Sequence, residues 1–450
     1  MGSMSLADHA LFGASTERAR LNFPISGHRM PGRFIRCLGL VKAACASANQ
    51  QLNRLPVEKA DLIRQAAAAL SRGELTEHFP LDVFQTGSGT STNMNANEVI
   101  ANWASQATGN PLGSKDPLHP NDDVNLGQSS NDIIPTTLHV SVAMALQEDL
   151  APALDHLATA LDKQTAALHT VVKIGRTHLM DATPMTLGQA FSGYAAQVHK
   201  AACRARCGIQ ALKELAIGGT AIGTGINGHP EFAGKVCRLL AEQTGIAFCE
   251  AANHFEAQGG RDDCVEVAGL LSTIAASLTK VANDIRLLGS GPRCGLGEIA
   301  LPATQPGSSI MPGKVNPVMS EMLVQVALYT TGLCNTVTLC GRDGHCELNV
   351  TLPLIAYALH EAITCLSNGA RIFADRCVAG IQAKKQRCRE LVDQSLMLVT
   401  ALTPHLGYDR AAQAAKIAFT ENKTLREVVL DEGWLDSKTL DAALDPKQMI

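Results

Sequence analysis

Between Val267 and Leu288 the apolar residues fall at Val267, Leu271, Ile274, Leu278, Val281, Ile285 and Leu288, in alternating steps of four and three. That period belongs to one stripe of an α-helix and to no strand. Sustained over three heptads, it is the seam of helices packed nearly parallel. A helix covering it runs about 33 Å, at ~1.5 Å per residue. Gly289-Ser-Gly-Pro292 then ends it. Leu146, Leu150, Leu154, Leu157 and Leu161 make a second stripe on one helix face. Both stripes read as core packing rather than chemistry.

The rest of the chain agrees with a helical scaffold. Aromatic residues make up only 4%, and alanine and leucine dominate, which favours close helix packing over sheets. No run of strands alternates with helices, so a doubly wound nucleotide-binding sheet is not expected. At 450 residues the chain exceeds one typical domain. The expected division is 1–127, mainly helical; 128–385, a central bundle; and 386–450, a small helical domain after the charge-rich segment near Lys384–Glu390. A hydrophobic content of 46% against 18% charged residues describes a chain with a large core.

Several function classes fall away on composition. The net charge is −4 and no basic block stands out, which argues against nucleic acid. No uninterrupted apolar run reaches the ~18 residues of a membrane span. Met1-Gly2-Ser3 ahead of Met4 reads as a cloning remnant, and no signal peptide follows. A cytoplasmic enzyme is the expectation. The 14 cysteines include no CxxC pair. Cys203 with Cys207, and Cys334, Cys340 and Cys346, complete no metal set with nearby histidines. Reduced thiols, and no metal, iron–sulfur or organic cofactor, are expected.

Chemistry is expected in the polar, glycine-rich stretches between helical segments: Thr86–Asn97, His119–Asp132, Arg176–Thr183, Gly218–His229 and Pro306–Pro317. The last contains Gly307-Ser-Ser-Ile-Met-Pro-Gly-Lys-Val-Asn-Pro317. It is not a phosphate loop: five residues separate Gly307 from Gly313 where that motif needs four, and Val315 stands where Ser or Thr would hold magnesium. It does offer two hydroxyls, a lysine and an amide on a chain that its glycines let bend tightly, a composition suited to closing over an anion.

This segment matches the signature loop of the fumarase/aspartase superfamily, and the resemblance covers nearly the whole chain. Thr86-Gly-Ser-Gly-Thr-Ser-Thr-Asn-Met-Asn95, His119-Pro-Asn-Asp122, Gln128-Ser-Ser-Asn-Asp132 and Gly218-Gly-Thr-Ala-Ile-Gly-Thr-Gly225 resemble the family's other blocks, in its order. Gly175-Arg-Thr-His-Leu-Met-Asp-Ala-Thr-Pro184 resembles the class II fumarase version, with His178 after Thr177 where aspartases usually carry Gln. Gly344-His-Cys-Glu-Leu-Asn-Val350 is similar to the fumarase block, with Cys346 in place of Phe.

The resemblance implies an all-α fold of three domains around a central bundle of long helices, and a homotetramer whose active sites are each shared by three chains. It implies a small dicarboxylate substrate and reversible hydration of fumarate to L-malate, by anti addition of water through an aci-carboxylate. Ser308 is then the base for the C3 proton, and Lys314 and backbone amides are candidates for activating it. His178 is the acid/base group on the oxygen side, its imidazole being suited to proton transfer near neutral pH. Glu321 orients His178. Ser88, Gly89, Thr90, Ser129, Ser130, Asn131, Thr177, Ser309, Lys314, Val315 and Asn316 bind substrate. His119, Pro120, Asn121 and Asp122 resemble a secondary dicarboxylate site.

Blander readings stand beside these. Ser88 and Thr90 also suit turns or helix caps, Glu321 a helix's first turn, and His119–Asp122 a surface turn. The sequence departs from the family at Asp116, at Met180, and at Gly259-Gly260-Arg261. The first puts the secondary site in question; the others predict a reshaped pocket rim. The alternatives are an aspartase-type ammonia lyase, a hydratase of a substituted four-carbon diacid, and a non-catalytic structural member of the superfamily.

Overall fold

The computed structural model describes residues 4–7 and 9–450; the Met1-Gly2-Ser3 lead lies outside them. The chain is all-α, a helical-bundle fold. Its longest elements are the helices Leu187–Ala211, Asp262–Leu288, Val318–Arg342 and Leu352–Arg376, of 25, 27, 25 and 25 residues. At ~1.5 Å per residue each runs about 40 Å. The stripe from Val267 to Leu288 is buried along its length and the helix ends at Leu288, ahead of the glycines. The leucines from Leu146 to Leu161 are equally buried. They run through a π-turn, Leu146–Leu150, that joins the helices Ser130–Ala145 and Ala151–Ala167.

Two of the long helices, Asp262–Leu288 and Val318–Arg342, are long and apolar enough on average to cross a bilayer. Core helices of soluble proteins pass the same test, and the 262–288 stripe is used for packing inside the protein.

The chain gathers into two compact units. One comprises the stretch through Pro152 with Ala202–Ala275 and Ala327–Ser367; the other comprises Ala153–Ala201, Ala276–Val326 and Asn368–Ile450. In the first, helix packing rests on small residues. A Cβ at Gly39 would lie 2.7 Å from the Ala67 carbonyl oxygen, so only glycine lets the helices Gly32–Gln51 and Val57–Ser71 approach so closely. Ala46, Ala60, Ala66, Ala67, Ala101 and Ala104 continue that alanine-lined core. In the second unit, Val392, Leu398, Leu402, Ala414, Leu425, Val428 and Leu440 form the core under the C-terminal helices.

Among the described residues sheet is confined to three two-stranded pieces. One corrects the reading of Arg176–Thr183 as a loop: it belongs to an antiparallel hairpin, Val172–Thr177 with Met180–Thr186. Lys173 and Arg176 both pair with the fully buried carboxylate of Glu298, at 3.3 and 2.9 Å. That buried pairing holds the base of the hairpin.

Candidate active site

The first unit brings four of the sequence blocks together. Gly89, at φ +72°, precedes the helix Thr90–Ala107, and a Cβ there would strike Ile134 on the helix Ser130–Ala145. The Ser88 and Thr90 hydroxyls lie 2.9 Å apart. Asn93 donates to Ser130 Oγ at 3.3 Å. Ser129 caps the 130–145 helix, its Oγ accepting the Asn131 N–H, which leaves the hydroxyl proton free to donate; Ser88 and Thr90 do not cap, since Gly89 is the N-cap of the helix Thr90–Ala107. Asn131 Nδ2 donates to the Ala221 carbonyl at 2.7 Å, which draws in the Gly218–Gly225 block. The end of the Gly344–Val350 block packs on Gly87, where a Cβ would strike the Val350 carbonyl, and just past the block Leu352 N donates to the Gly87 carbonyl at 2.9 Å.

A buried layer that the sequence reading missed lies beneath these blocks. Asp132 is fully buried; one oxygen accepts from Ser129 N, and the other from Gly218 N and Thr220 N at 3.1 and 3.0 Å. Burial pushes its carboxyl up to about 6, against the pull of those three N–H groups. Lys42, also fully buried, donates to Asn125 Oδ1 and Gln128 Oε1 at 3.1 and 2.9 Å. Burial pushes its ammonium down to about 8. Asn93 and Asn97 share the same Asn125 oxygen. A lysine set among Leu38, Val41, Ala44 and Cys45 is the one sequence signal that could have marked this network.

The second unit carries the hairpin and the signature loop. The loop closes on itself. Gly307 N donates to the Lys314 carbonyl and Asn316 Nδ2 to the Gly307 carbonyl, both at 2.8 Å. A Cβ at Gly307 would lie 2.7 Å from the Lys314 oxygen, so the closure requires glycine. Ser308 Oγ accepts the N–H groups of Ile310 and Met311, at 3.2 and 3.0 Å. Ser309, Lys314 and Val315 are exposed, as are Ile310 and Met311 at the loop's tip. Lys314, Val315 and Asn316 line a cavity of about 790 Å³.

At the hairpin, Thr177 pairs with Met180, leaving His178 and Leu179 as a two-residue turn. Thr177, His178, Leu179 and Met180 are all exposed. Glu321 lies in the first turn of the helix Val318–Arg342 and is half-buried. Among the described residues, the His178 imidazole and the Glu321 carboxylate are not hydrogen-bonded to each other or to another side chain.

His119 Nδ1 accepts from Asn121 N and Asp122 N, at 3.3 and 3.1 Å, and caps the turn Pro120–Val124. This is the geometry of a capped surface turn; Asn121 and Asp122 are exposed. Arg261 does not reach a pocket rim. It is 3% exposed and donates to the carbonyls of Gly260 and Ala257. Gly259 is needed where it is because a Cβ would press on the Cys346 carbonyl at 2.9 Å. Among the departures, Asp116, Met180 and Cys346 are exposed. Among the described residues no three His, Cys, Asp or Glu side chains gather at metal-binding geometry.

Comparison with known proteins matches this arrangement to one family. Residues 2–332 match a family described as "Lyase", and residues 398–450 one described as "Fumarase C C-terminus". Fumarate hydratase class II 1 of Pseudomonas aeruginosa is 48% identical over 450 residues, covering 100% of this chain and 97% of that one. Fumarate hydratase class II of Thermosynechococcus vestitus is 49% identical over 441 residues, covering 98% and 94%. The crystal structure of a recombinant class II fumarase from Schistosoma mansoni superposes with a TM-score of 0.95 at 39% identity, covering 99% and 96%. With five sequence blocks in the family's order and likeness along its full length, the chain belongs to the class II fumarate hydratase family of lyases.

Proposed function

We propose that this protein hydrates fumarate reversibly to L-malate, without a metal or organic cofactor. The observation that carries the reading is Ser308 Oγ, which accepts two backbone N–H groups inside a glycine-closed loop. Removing the C3 proton of malate needs a base, and a serine hydroxyl serves only if its alkoxide is stabilised. Two N–H groups aimed at the oxygen supply that stabilisation, as oxyanion donors do elsewhere. Proton removal places extra negative charge on the neighbouring carboxylate. Lys314 and Asn316 hold this aci form, and losing one such donor costs on the order of 3 kcal/mol. On the other face His178 exchanges a proton with the water or hydroxyl, which gives anti addition. Glu321 orients that imidazole. Ser88, Gly89, Thr90, Ser129, Ser130, Asn131, Thr177, Ser309 and Val315 hold the two carboxylates, and His119–Asp122 offer a secondary position for the same ligand.

The protein works as a homotetramer, each site taking residues from three chains. Two observations support this. Among the described residues His178 and Glu321 have no side-chain partner, and the helix Val318–Arg342 exposes Leu328, Tyr329 and Leu339 at 65%, 48% and 45%. The three-part division at 127/128 and 385/386, a cytoplasmic location and a place in the tricarboxylic acid cycle complete the proposal. Nucleic acid and membranes are not partners.

The deciding assay follows the ultraviolet absorbance of fumarate on mixing with protein, with and without ammonium. Loss of absorbance in plain buffer with malate as product is expected. Loss that requires ammonium would make the protein an ammonia lyase, and no loss in either would leave a structural role. Met180, 70% exposed beside His178, favours one second reading: a diacid carrying a methyl group on the double bond is an additional substrate. The same assay with methyl-substituted fumarate tests it.

A further inference from the structure

The cavity behind the signature loop carries more positive charge than one bound carboxylate needs. It is formed wholly within the second unit, from the end of the helix Asp262–Leu288, the turn after it, the loop residues Gly313–Pro317, and Lys384. Among the described residues three cations line it, Arg286, Lys314 and Lys384, and no carboxylate does. Among the described residues these three side chains make no hydrogen bond or ion pair. The nearby acids are turned elsewhere: Glu298 to Lys173 and Arg176, and Asp284 to Lys280 and the Tyr194 hydroxyl. On the same wall the carboxamide oxygen of Asn283 is buried with no partner. Buried polar atoms are nearly always satisfied, by protein, water or ligand.

A blander account covers part of this. Arg286 stands in the last turn of its helix, where the macrodipole alone favours a cation. That does not explain Lys384, which comes from a separate segment and is fixed there by its N–H to the Glu298 carbonyl, at 2.9 Å. Nor does it explain the exclusion of acids from the whole lining.

We infer that Arg286 and Lys384 form an anion-capture position, distinct from Lys314 and Asn316, which takes a carboxylate of an incoming four-carbon dianion before it passes to Lys314. The inference rests on reading this cavity as the site of a dicarboxylate enzyme. A cleft lined by one sign of charge focuses the field and raises the encounter rate of an oppositely charged ligand by roughly 10- to 1,000-fold. Salt screens that attraction over about 8 Å at 0.15 M. The capture position thus acts on kcat/KM and on its dependence on ionic strength.

The test uses the full chain and succinate, a saturated four-carbon dianion that cannot be hydrated. Succinate binding is measured by calorimetry at low and high ionic strength for the parent, Lys384→Glu, Lys384→Arg and Arg286→Gln, with circular dichroism to check folding. Fumarate kcat/KM is measured alongside. Lys384→Glu is expected to weaken succinate at least fivefold at low salt, to flatten the salt dependence, and to lower kcat/KM in parallel; Lys384→Arg retains parental behaviour. Arg286→Gln moves in the same direction as Lys384→Glu. If the parent fails to bind succinate, or if folded Lys384→Glu matches it within twofold at both salt concentrations, the capture position is wrong. Weakened succinate binding in a protein that hydrates no fumarate would keep the capture position and overturn the proposed function. Rapid fumarate hydration with unchanged binding in Lys384→Glu would do the reverse.

Discussion

His178 and Leu179 occupy the two central positions of one hairpin turn, and both hold positive φ, +56° and +62°. Such turns match the twist of the flanking strands but are usually built from Asn, Asp or Gly. Here a histidine and a leucine are forced into the left-handed region, at on the order of 1 kcal/mol or more apiece. Backbone strain of this kind gathers where a side chain must be presented in one place.

Relieving the strain at Leu179 separates stability from chemistry. Leu179→Gly is expected to raise the unfolding free energy by about 1 kcal/mol, read from urea midpoints at constant m-value. Leu179→Val, β-branched, moves it the other way. A glycine variant that is less stable than the parent would show that the turn is not strained.

His178→Asn isolates the imidazole. Asparagine tolerates positive φ better than most residues, so the turn survives while the proton acceptor is lost. Turnover should fall by roughly 10²- to 10⁴-fold, the usual range for a general acid–base group, with the melting temperature nearly unchanged. Full turnover in this variant would remove His178 from the mechanism.

Much of this architecture was legible because it repeats or recurs locally. The seven-residue spacing from Val267 to Leu288 announced a buried helix face, and Gly289 to Pro292 its end. The signature loop's bend was legible in Gly307 and Gly313, the second at φ +81°. The hairpin was not, because His178-Leu179 carries none of the residues by which such turns are recognised. Lys42 was equally hidden: its partners Asn125 and Gln128 lie more than 80 residues away, and nothing in a single sequence links them. Arg261 misled for the opposite reason. A charged residue in a polar block reads as exposed, whereas the carbonyls of Gly260 and Ala257 allow it to be buried.

Ser308→Ala tests the base. The substitution removes the oxygen on which the Ile310 and Met311 N–H groups converge. Hydration should drop by roughly 10²-fold or more, and KM should change little, since the serine acts chiefly in the transition state. Succinate binding should persist, because Lys314 and Asn316 remain. Unimpaired turnover would leave the family assignment intact and move the base elsewhere.

Lys42 gives a pH dependence whose sign is fixed by its burial. Its ammonium is pushed down from 10.5 to about 8, so the unfolded chain binds more protons than the folded one between those pH values. Stability from this group therefore rises with pH from about 8 to 10.5; below about 8 the whole penalty of a buried charge stands. The difference corresponds to on the order of 3 kcal/mol. Asp132, pushed up from 3.8 to about 6, acts in a separate window: its penalty is absent below 3.8, grows up to about 6 and is constant above. Lys42→Met retains most of the aliphatic volume and removes the titrating group. It also strips Gln128 Oε1 of a donor, at ~1–3 kcal/mol for an acceptor left unpaired, while Asn125 Oδ1 keeps the Asn93 and Asn97 amides; at pH 7 that cost opposes the relief of the buried charge. Urea unfolding of both proteins from pH 6 to 10 supplies the measurement, and only the difference between them is used, because cysteines and tyrosines titrate in the same range. That difference should be constant from pH 6 to 7 and shift in the parent's favour above about 8. A difference that stays flat to pH 10 would mean that Lys42 keeps its ordinary proton affinity, and that the layer beneath Ser129 to Asp132 is open to water.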